Sequence, residues 1–177
     1  MQETVELVDI VDETDNVIGQ ATKHECVGKG LAHRASIILI FRGKMHNEML
    51  IQKRSKFIEF PLKYAFTAGH VKSGETYGQC ALRELKEELF KGLAVPSKIA
   101  LQPLFRTKDI YDGHDEFRQV FSTVWPGPFY NDRREVESVS FVEIRRLNED
   151  MQKQPDKYTE MTRGILRKYL AFTQGKH

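Results

Sequence analysis

The sequence predicts an α/β (α+β) fold in which a mixed β-sheet is packed between α-helices, as an α/β/α sandwich. Two observations predict it: segments with strand patterns outnumber segments with helix patterns, and the helices lie between the strands and after the last one. The chain has 177 residues, of which 40% are hydrophobic, enough for one domain with a sizeable core and too few for two comfortable ones. We therefore expect residues 1–177 to form a single domain.

The first third of the chain predicts a hairpin, a short helix and two longer paired strands. The segments VELVDIV and VIGQA flank the turn-forming DETDN and predict a β-hairpin. The segment TKHECVGKG predicts a short helix or a turn, with Thr22 as its cap and Gly28 or Gly30 as its stop. The continuous apolar run of ASIILIFR predicts a buried strand, and EMLIQKR is expected to pair with it across GKMHN.

The rest of the chain predicts a central helix, four more strands and two final helices. After the loop SKFIEFPLKY, the strand AFTAGHV leads into a helix that begins after Thr76, with Gln79 as its capping partner, and stops at Gly92. Further strands are predicted over KIALQPLFRTKDIY, over DEFRQVFSTVW after the turn DGH, and over VSFVEI after the loop PGPFYNDRREVES. The helices RRLNEDMQKQ and KYTEMTRGILRKYLAF follow, and the apolar face of the second contains Met161, Ile165, Leu166, Tyr169 and Leu170.

The charge and cysteine content disfavour several classes of function. A formal net charge of +2 gives no field that would attract nucleic acid or an acidic membrane surface, and the longest apolar run, Ile37 to Phe41, is far too short to span a membrane. Cys26 and Cys80 have no spacing typical of a zinc or redox motif, which favours a reduced setting and leaves a single disulfide open. The acidic N-terminus lacks the apolar core of a signal peptide. We expect a cytoplasmic monomer or homodimer without nucleic-acid or membrane partners.

The segment GHVKSGETYGQCALRELKEELFKGL concentrates three glutamates on a short, strongly helical run. At about 100° per residue, Glu84, Glu87 and Glu88 lie within an arc of roughly 100° that borders the apolar stripe of the helix. Carboxylates crowded beside a buried face are costly unless a cation lies among them, and Mg²⁺ prefers such oxygen ligands. The alternative is a solvated face on which Arg83 pairs with Glu87, and Lys91 lies near Glu88.

The spacing of the preceding residues decides between these alternatives. The spacing resembles the signature of the Nudix hydrolases: Gly69 is followed after five residues by Glu75, and Glu75 after seven residues by the run RELKEE at 83–88. At residue frequencies of roughly 5–7%, six fixed letters at this spacing arise by chance in on the order of one chain in a hundred thousand. The chain is therefore identified as a member of that family, which implies the Nudix fold.

The resemblance implies a role for each matching residue. Arg83 matches the arginine that orients a metal-binding glutamate, and Glu75 matches its structural acidic partner. Gly69 has no side chain and therefore lets the loop approach the metal closely. The implied cofactor is Mg²⁺ or Mn²⁺, with more than one ion per site when substrate is present. The implied metal ligands are Glu84, Glu87 and Glu88, with a backbone carbonyl of Ala68 or Gly69.

One position departs from the family pattern. The family has glycine two residues after the last glutamate, whereas this sequence has Phe90 there and reaches a Gly-Leu pair only at Gly92 and Leu93. We expect the helix end to be extended by two residues. All the implied metal-site positions precede Phe90, so the departure concerns the local loop and not the chemistry.

The segment VDETDNVIGQATKHECVGKGLAHRAS resembles a region shared by isopentenyl-diphosphate isomerases and a closely related hydrolase subgroup. The isomerases have a cysteine directly before a Gly-His pair, and here Ala68 precedes Gly69 and His70. Neither Cys26 nor Cys80 aligns with that cysteine, and the Arg-Glu-x-x-Glu-Glu set, which the isomerases generally lack in full, is intact. The resemblance therefore favours a hydrolase over an isomerase, and the intact glutamates also disfavour a Nudix domain that only binds a nucleotide.

The same resemblance leaves a second metal site open. His33, His70 and Glu116 match metal ligands of the isomerases. An altered metal site and ordinary hydrogen-bonded histidines are both compatible with this partial match. Two other ligand positions of the isomerases are occupied here by Cys26 and His114, and His24 lies two residues before Cys26.

The implied reaction is hydrolysis of a phosphoanhydride bond in a nucleoside diphosphate linked to another group. Arg83 and Glu84 are its implied catalytic residues, and a glutamate of the helix or Glu116 of the DEF segment takes the proton of the attacking water. Asp112 and Asp115 are the alternatives to Glu116 for a further carboxylate.

Two further groups are candidates for contacting the small-molecule diphosphate substrate. Lys53, Arg54 and Lys56 are expected beside the strand of the Nudix motif, in a region that contacts diphosphate in the related isomerases. They either bind phosphate or form an exposed strand edge. Nearby aromatic side chains either stack on a base or belong to the core. They are Phe57, Phe60, Tyr64 and Phe66.

Overall fold

The computed structural model describes residues 6–43 and 45–175, and its fold is the predicted mixed sheet packed between helices. Three predicted features lie partly outside the described residues: Val5 of the first strand, Lys44 of the turn GKMHN, and both ends of the 1–177 domain. That single domain stays a prediction. Within the described residues, no helix is both long and apolar enough to cross a membrane.

The N-terminal hairpin and the short helix after it form as predicted. Strand β1 (Leu7–Val11) pairs antiparallel with β2 (Val17–Thr22) in a separate two-stranded sheet. Helix α1 (Lys23–Lys29) begins with a capping box, in which the Thr22 hydroxyl and the Glu25 carboxylate each accept the other residue's amide hydrogen. Gly30 ends α1 with a φ of 62°, a left-handed conformation that glycine adopts without strain. The stop is therefore Gly30 and not Gly28.

Seven strands form the main sheet among the described residues. They are β3 (His33–Arg42), β4 (Glu48–Arg54), β5 (Tyr64–Ala65), β6 (Thr67–His70), β7 (Gln102–Tyr111), β8 (His114–Val124) and β9 (Val136–Glu143). Their order is β5-β4-β3-β8-β7, with β6 paired to β3 and β9 to β4. Only β3 and β8 run parallel, so the sheet is mixed. The predicted strand AFTAGHV is divided at Phe66 into β5 and β6.

The helices cover the two faces of this sheet. One face of β3 presents Ile37 and Leu39 to α3 (Ile144–Lys153) and α4 (Glu160–Gln174). The opposite face of β3 packs against α2 (Tyr77–Glu84), which begins with the predicted capping box of Thr76 and Gln79. Both faces of β3 are buried because consecutive side chains of a strand point in opposite directions. The unbroken apolar run of β3 predicted this burial.

The glutamate helix ends differently from the prediction. α2 continues as a π-helical turn over Leu85–Leu89, and the helix stops there. Lys91 and Gly92 both have positive φ, and the Gly92 amide donates to the carbonyl of Lys86 at 2.7 Å. The predicted two-residue extension is therefore wrong. Lys91 and Gly92 form a left-handed turn instead of a helical extension, and the wider π-helical turn at Leu85–Leu89 accommodates the two residues.

The register of the central strands brings residues that are distant in sequence to one end of the sheet. In the parallel pair, His33 of β3 lies beside Glu116 of β8. In the antiparallel pair, Ala35 of β3 lies beside His70 at the end of β6, and the loop after β6 leads directly into α2. The strand ends and the glutamate helix therefore line one cavity.

We expect Gly164→Ala in α4 to lower the free energy of unfolding by about 1–3 kcal/mol. A Cβ atom at Gly164 would lie 2.4 Å from Cζ of Tyr111, and the Arg118 guanidinium lies over that same ring, 5.0 Å from its centre. Gly78→Ala in α2 is the matched control, because an added Cβ meets no described atom within 4 Å and should stabilise the protein by about 0.4–1 kcal/mol. Denaturant unfolding measures both, and equal effects would contradict the close packing of α4 on Tyr111.

Candidate active site

Arg83 is the centre of the hydrogen-bond network on the glutamate helix. Its Nε and Nη2 atoms donate to the two carboxylate oxygens of Glu75 at 2.8 and 3.0 Å, and Nη2 also donates to the carbonyl of His70 at 2.8 Å. Its Nη1 atom donates to Glu84 and, at 3.2 Å, to Glu87. These contacts use all five N–H groups of the guanidinium. One side chain therefore fixes the loop before α2, the end of β6 and two of the three glutamates.

The carboxylate of Glu84 lies directly against Gly69. A Cβ atom at Gly69 would lie 1.9 Å from Oε1 of Glu84, so only glycine leaves room for this carboxylate at the end of β6. Glu84 is 7% exposed, and burial raises its pKa to about 7 although Arg83 opposes the increase. The structure therefore shows a close approach of a carboxylate to Gly69, and the predicted approach of this loop to a metal stays a prediction.

Glu88 is buried more deeply than Glu84 and has a polar partner of its own. It is 4% exposed, and its Oε2 accepts a hydrogen bond from Nε2 of Gln52 at 3.0 Å. The hydroxyl of Thr67 in turn donates to Oε1 of Gln52 at 3.2 Å, which fixes the amide. Burial, followed by the charge of Glu84, raises the pKa of Glu88 well above its usual range. A bound cation would relieve the cost of two such neighbouring carboxylates.

Glu87 and Glu135 lie at the outer side of these carboxylates. Glu87 is the most accessible of the three helix glutamates, with 44% of its side chain exposed. Glu135, in the loop before β9, lines the same cavity as Glu84 and Glu88. Burial, followed by the charge of Glu87, raises the pKa of Glu135. A fourth carboxylate therefore faces the glutamate cluster from another segment of the chain.

Three histidines and a glutamate form a second cluster at the strand ends. His33, His70, His114 and Glu116 each offer one ligand atom, and these four atoms lie within 4.8 Å of one another. The Nε2 atoms of His33 and His70 lie 3.1 and 3.0 Å from Oε1 of Glu116, and Nδ1 of His114 lies 3.7 Å from it. The structure thus joins the three residues that match isomerase ligands and adds His114.

Arg118 is the counter-charge of this second cluster. It is 1% exposed, and its Nη2 lies 2.6 Å from Oε2 of Glu116. Although burial opposes ionisation, the contacts with His33 and His70, followed by the charges of His70 and Arg118, hold the pKa of Glu116 well below its usual range. Burial lowers the pKa of His114. Glu116 is therefore a carboxylate and His114 a neutral imidazole at neutral pH.

Residues of both clusters line one cavity of about 410 Å³, a size typical of small-molecule sites. Apolar side chains cover part of its wall, among them Ile37, Ile58, Phe60 and Met161. Among the described lining residues, the basic ones are Lys23, Arg54 and Arg118. The acidic ones are Glu6, Glu59, Glu84, Glu88, Asp112, Glu116 and Glu135.

Of the three basic residues considered for phosphate binding, the structure brings only Arg54 to the cavity. Its Nε donates to the carbonyl of Glu59 at 2.8 Å, which holds the guanidinium at the wall. Lys53 precedes it on β4 and is not among the described residues that line the cavity. Lys56 is exposed, with its ammonium 5.1 Å from the ring centre of Phe57.

The four aromatic side chains considered for base stacking divide between the core and the cavity. Phe66 is 1% exposed in the core, and the ring of Tyr64 packs against Tyr158 at 5.7 Å. Phe60 lines the cavity. Phe57 is 72% exposed on the outside.

The other residues considered as metal ligands or as the base lie outside the cavity or already have hydrogen-bond partners. Asp112 borders the cavity, but its carboxylate accepts hydrogen bonds from the first amides of α4. Asp115 is not among the residues that line the cavity. Cys26 packs into the small core beneath the N-terminal hairpin, and the exposed His24 lies on the same helix. Neither joins the histidine cluster.

Three site residues were missed by the sequence analysis. Gln52 is a polar residue next to the apolar part of β4, which is a weak signal for a buried partner. Arg118 stands in a strand whose neighbours are mostly apolar, and its burial indicates a buried acidic partner. Glu135 lies in a charged loop, where no local pattern distinguishes it from its neighbours.

Comparison with known proteins relates the chain to one family. The family model described as the NUDIX domain matches residues 31–162. The chain is 35% identical over 143 residues to a Nudix hydrolase of Yersinia pestis, covering 78% of this chain and 73% of that protein. It is 29% identical over 168 residues to a prenyl-diphosphate phosphatase of Methanosarcina mazei, covering 91% and 94% of the two chains.

Two further similarities concern the isomerases and the fold. The chain is 28% identical over 159 residues to an isopentenyl-diphosphate Delta-isomerase of Serratia proteamaculans, covering 87% and 86% of the two chains. The crystal structure of DR0079 from Deinococcus radiodurans superposes with a TM-score of 0.77 at 20% identity, covering 92% and 98% of the two chains. The predicted resemblance to both groups is confirmed, and the superposition supports the fold alone.

The raised pKa values of Glu84 and Glu88 predict that the protein loses stability as pH increases when divalent ions are chelated. The pKa of a glutamate in the unfolded chain is 4.5, whereas the pKa of Glu84 in the folded protein is about 7. Between these values the unfolded chain releases a proton that the folded protein keeps, so the free energy of unfolding falls as pH rises, by on the order of 1–3 kcal/mol for this group.

Denaturant unfolding in EDTA at several pH values between 4.5 and about 8 measures this decrease. Glu84→Gln should reduce the decrease, whereas Glu137→Gln, which replaces an exposed glutamate of β9, should leave it unchanged. An identical pH dependence in wild type and Glu84→Gln would show that the Glu84 carboxylate is not held in the folded protein at an unfavourable cost.

Proposed function

The chain belongs to the Nudix hydrolase family, and from that premise we propose that it is a Mg²⁺-dependent pyrophosphohydrolase of a small diphosphate compound. The observation that carries the proposal is the buried pair Glu84 and Glu88 at the wall of the cavity, in which the guanidinium of Arg83 holds Glu84 beside Gly69. A carboxylate pair with raised pKa values, facing a cavity, is an arrangement typical of a functional site.

The residues of the glutamate cluster fit a hard divalent ion. Glu84, Glu87 and Glu88 offer carboxylate oxygens, which Mg²⁺ and Mn²⁺ prefer as ligands, and Gly69 leaves the space that a Cβ atom would fill. Acidic side chains outnumber basic ones on the cavity wall, seven to three. A diphosphate anion therefore needs additional cations in order to bind there, which supports more than one ion when substrate is present.

The side chains have separate tasks in this proposal. Arg83 holds Glu84 and Glu87 in place and contributes no ligand atom of its own. Arg54, whose guanidinium reaches the cavity, binds a phosphate oxygen. A bound ion supplies positive charge that stabilises the charge developing on the phosphate oxygens.

The proton of the attacking water goes to a carboxylate of the cavity wall. Glu84 and Glu116 are the candidates from the sequence, and Glu116 is the weaker acceptor because its pKa is held well below the usual range. Glu135 joins them, since its pKa is raised and no described residue donates a hydrogen bond to its carboxylate. The variant among Glu84→Gln, Glu116→Gln and Glu135→Gln that loses the acidic limb of the pH–rate profile identifies the base.

An isomerase activity is disfavoured by the thiols. Ala68 lines the cavity beside His70, where a proton-transferring cysteine would be needed. Cys80 is buried, its thiol donates to the carbonyls of Gly69 and His70, and burial raises its pKa to about 12. Cys26 lies in the N-terminal core. A protein that only binds a nucleotide is disfavoured by the intact carboxylate set, which binding alone does not require.

Two substrate classes follow from different observations. A nucleoside diphosphate linked to another group is the class that the sequence motif favours. Phe60, one of the aromatic residues that line the cavity, is the candidate for stacking on its base. A prenyl diphosphate is the second class. It is favoured by the apolar wall that includes Ile37, Ile58 and Met161, and by the similarity to a prenyl-diphosphate phosphatase over most of both chains.

We expect Mg²⁺- or Mn²⁺-dependent release of phosphate products from a panel of both substrate classes, and no release in EDTA. Glu87→Gln and Glu88→Gln should each lower kcat at least about tenfold, because each removes an ion ligand. Their melting temperatures in EDTA should stay near that of the wild type or exceed it, since a repelling carboxylate is removed. Phosphate release and thermal melts measure the two effects.

A thermal melt with Mg²⁺ is the control for the position of the ion. At about a hundredfold excess over Kd, binding to the folded state stabilises it by roughly 2.7 kcal/mol, and the Glu84→Gln/Glu87→Gln/Glu88→Gln protein should show no such increase. Metal-loaded protein that releases no phosphate yet isomerises isopentenyl diphosphate would refute the hydrolase assignment.

A variant in the loop after β4 separates the substrate classes. If prenyl diphosphates are the substrates, Ile58→Ser should raise their KM several-fold, because Ile58 belongs to the apolar part of the cavity wall. Leu62→Ser is the matched control, since Leu62 is 49% exposed in the same loop and does not line the cavity. Steady-state kinetics on geranyl diphosphate and ADP-ribose measure the effect. An Ile58→Ser protein that is unchanged on geranyl diphosphate would remove the apolar wall as a determinant of specificity.

A further inference from the structure

The N-terminal hairpin of β1 and β2 is attached to the loop that leads into the glutamate helix. The Nudix domain of the chain begins at residue 31, so the hairpin precedes it, and its two strands form a sheet of their own. Val8 of β1 nevertheless forms an antiparallel bridge with Lys72, and the amide of Ser73 donates to the carbonyl of Leu7 at 2.8 Å. The hairpin therefore contacts the loop between β6 and α2 directly.

Asp9 of β1 is a buried acidic residue whose hydrogen bonds go to this loop. It is 6% exposed, its Oδ1 accepts a hydrogen bond from the Ser73 hydroxyl at 2.7 Å, and its Oδ2 accepts one from the Gly74 amide at 3.4 Å. A buried carboxylate is costly unless hydrogen bonds compensate for the lost water. The burial of Asp9 therefore depends on the position of Ser73 and Gly74, and their position depends in turn on Asp9.

Ser73 and Gly74 are the central residues of a tight turn that fixes Glu75. The amide of Glu75 donates to the carbonyl of Lys72 at 2.9 Å. In the opposite direction, the amide of Lys72 donates to Oε2 of the Glu75 side chain at 2.9 Å. Both bonds span the two central residues, so a displacement of Ser73 or Gly74 also displaces the carboxylate of Glu75.

The carboxylate of Glu75 determines where the guanidinium of Arg83 lies. Its two oxygens accept hydrogen bonds from Nε and Nη2 of Arg83 at 2.8 and 3.0 Å. The remaining nitrogen, Nη1, donates to Glu84 and Glu87. A displacement of Glu75 therefore reaches two of the proposed ion ligands through one side chain.

A second acidic residue of the hairpin holds the residue that follows the loop. Asp15, in the turn between β1 and β2, accepts a hydrogen bond from the hydroxyl of Tyr77 at 3.0 Å, and Tyr77 is the first residue of α2. Asp15 also pairs with Arg34 at 2.6 Å and with Arg106 at 3.0 Å, which attaches the turn of the hairpin to the main sheet. The hairpin is thus fixed at a distance from Asp9, and Asp9 can hold the middle of the loop against it.

We propose that Asp9 is a positioning residue of the glutamate cluster and acts through the guanidinium of Arg83. Asp9 is not among the described residues that line the cavity, so it contributes no ligand atom and touches no substrate. The inference rests on the proposed function in one respect, because it takes the divalent ions to be bound by the helix glutamates. The position of the Arg83 guanidinium can be measured without any ion, so the two proposals can fail separately.

Magnesium affinity is the first measurement. Isothermal titration of Asp9→Ala with Mg²⁺ should give a Kd several-fold above that of the wild type. This effect is smaller than the roughly 10–100-fold loss typical when a contact to an ion ligand itself is removed. Asp9→Asn should recover most of the affinity, because its amide oxygen still accepts from the Ser73 hydroxyl. Ile18→Thr is the matched control, since Ile18 is 66% exposed on β2 of the same hairpin, and it should leave the Kd unchanged.

The Nε–H group of Arg83 is the second measurement, made by NMR in EDTA. In the wild type this hydrogen is bonded to Glu75 and should exchange slowly with water, whereas in Asp9→Ala it should exchange at least several-fold faster. Leu147→Ala is the control for stability. Leu147 is 1% exposed in the core on the face of the sheet opposite α2, so its truncation destabilises the fold and should change neither the exchange of Nε–H nor the Kd for Mg²⁺.

The outcomes separate positioning from a purely structural role. The inference is overturned if Asp9→Ala matches the wild type in both measurements, or if Leu147→Ala shows losses equal to those of Asp9→Ala. A wild type that binds no Mg²⁺, together with fast Nε–H exchange in Asp9→Ala alone, would refute the proposed ion site and support the positioning of Arg83. If Asp9→Ala does not fold, Ser73→Ala removes the donor of the 2.7 Å bond and should show the same two effects.

Discussion

The five N–H groups of Arg83 hold the candidate active site together, since they donate to four residues from different parts of the motif. Glu75 receives two of them, Glu84 and Glu87 receive one each, and the carbonyl of His70 receives the fifth. Hydrogen bonds between charged groups are the strong ones in proteins, and this guanidinium is only 17% exposed in its side chain. Without it, Glu84 and Glu87 would lose the positive charge that pairs with both of them at the edge of the core.

The same network connects the two clusters through the end of β6. The carbonyl of His70 is fixed by Arg83, while its imidazole lies 3.0 Å from Glu116. The preceding Gly69 touches the carboxylate of Glu84. The backbone of these two residues therefore sets the relative position of the glutamate cluster and the histidine cluster. A change in the orientation of either residue would displace donor atoms in both.

Much of this arrangement could be predicted from the sequence, because its signals are local. Apolar continuity gave the burial of β3, and the polar residues at Thr22 and Thr76 gave the starts of α1 and α2. The end of the glutamate helix could not be predicted in the same way. There the carbonyls of Glu88 and Leu89 accept hydrogen bonds from amides in the distant loop before β9. These contacts between distant segments favour a helix end at Leu89, which the local sequence does not predict. Gln52, Arg118 and Glu135 were missed for the same reason. Strand pairing, and not sequence spacing, brings Gln52 to Glu88 and brings Arg118 and Glu135 to the cavity wall.

In the proposed function, the charges on the cavity wall link binding of metal ions to binding of a diphosphate. Ionised Glu84 and Glu88 repel an anion, and their raised pKa values, caused first by burial and then by neighbouring carboxylates, show that negative charge is costly there. A cation lowers that cost, and a phosphate in turn supplies further ligand oxygens for the cation. Each therefore increases the affinity of the site for the other, and thermodynamic linkage makes the two effects equal. On these grounds, we expect the protein without divalent ions to bind a diphosphate poorly even though its cavity is already formed.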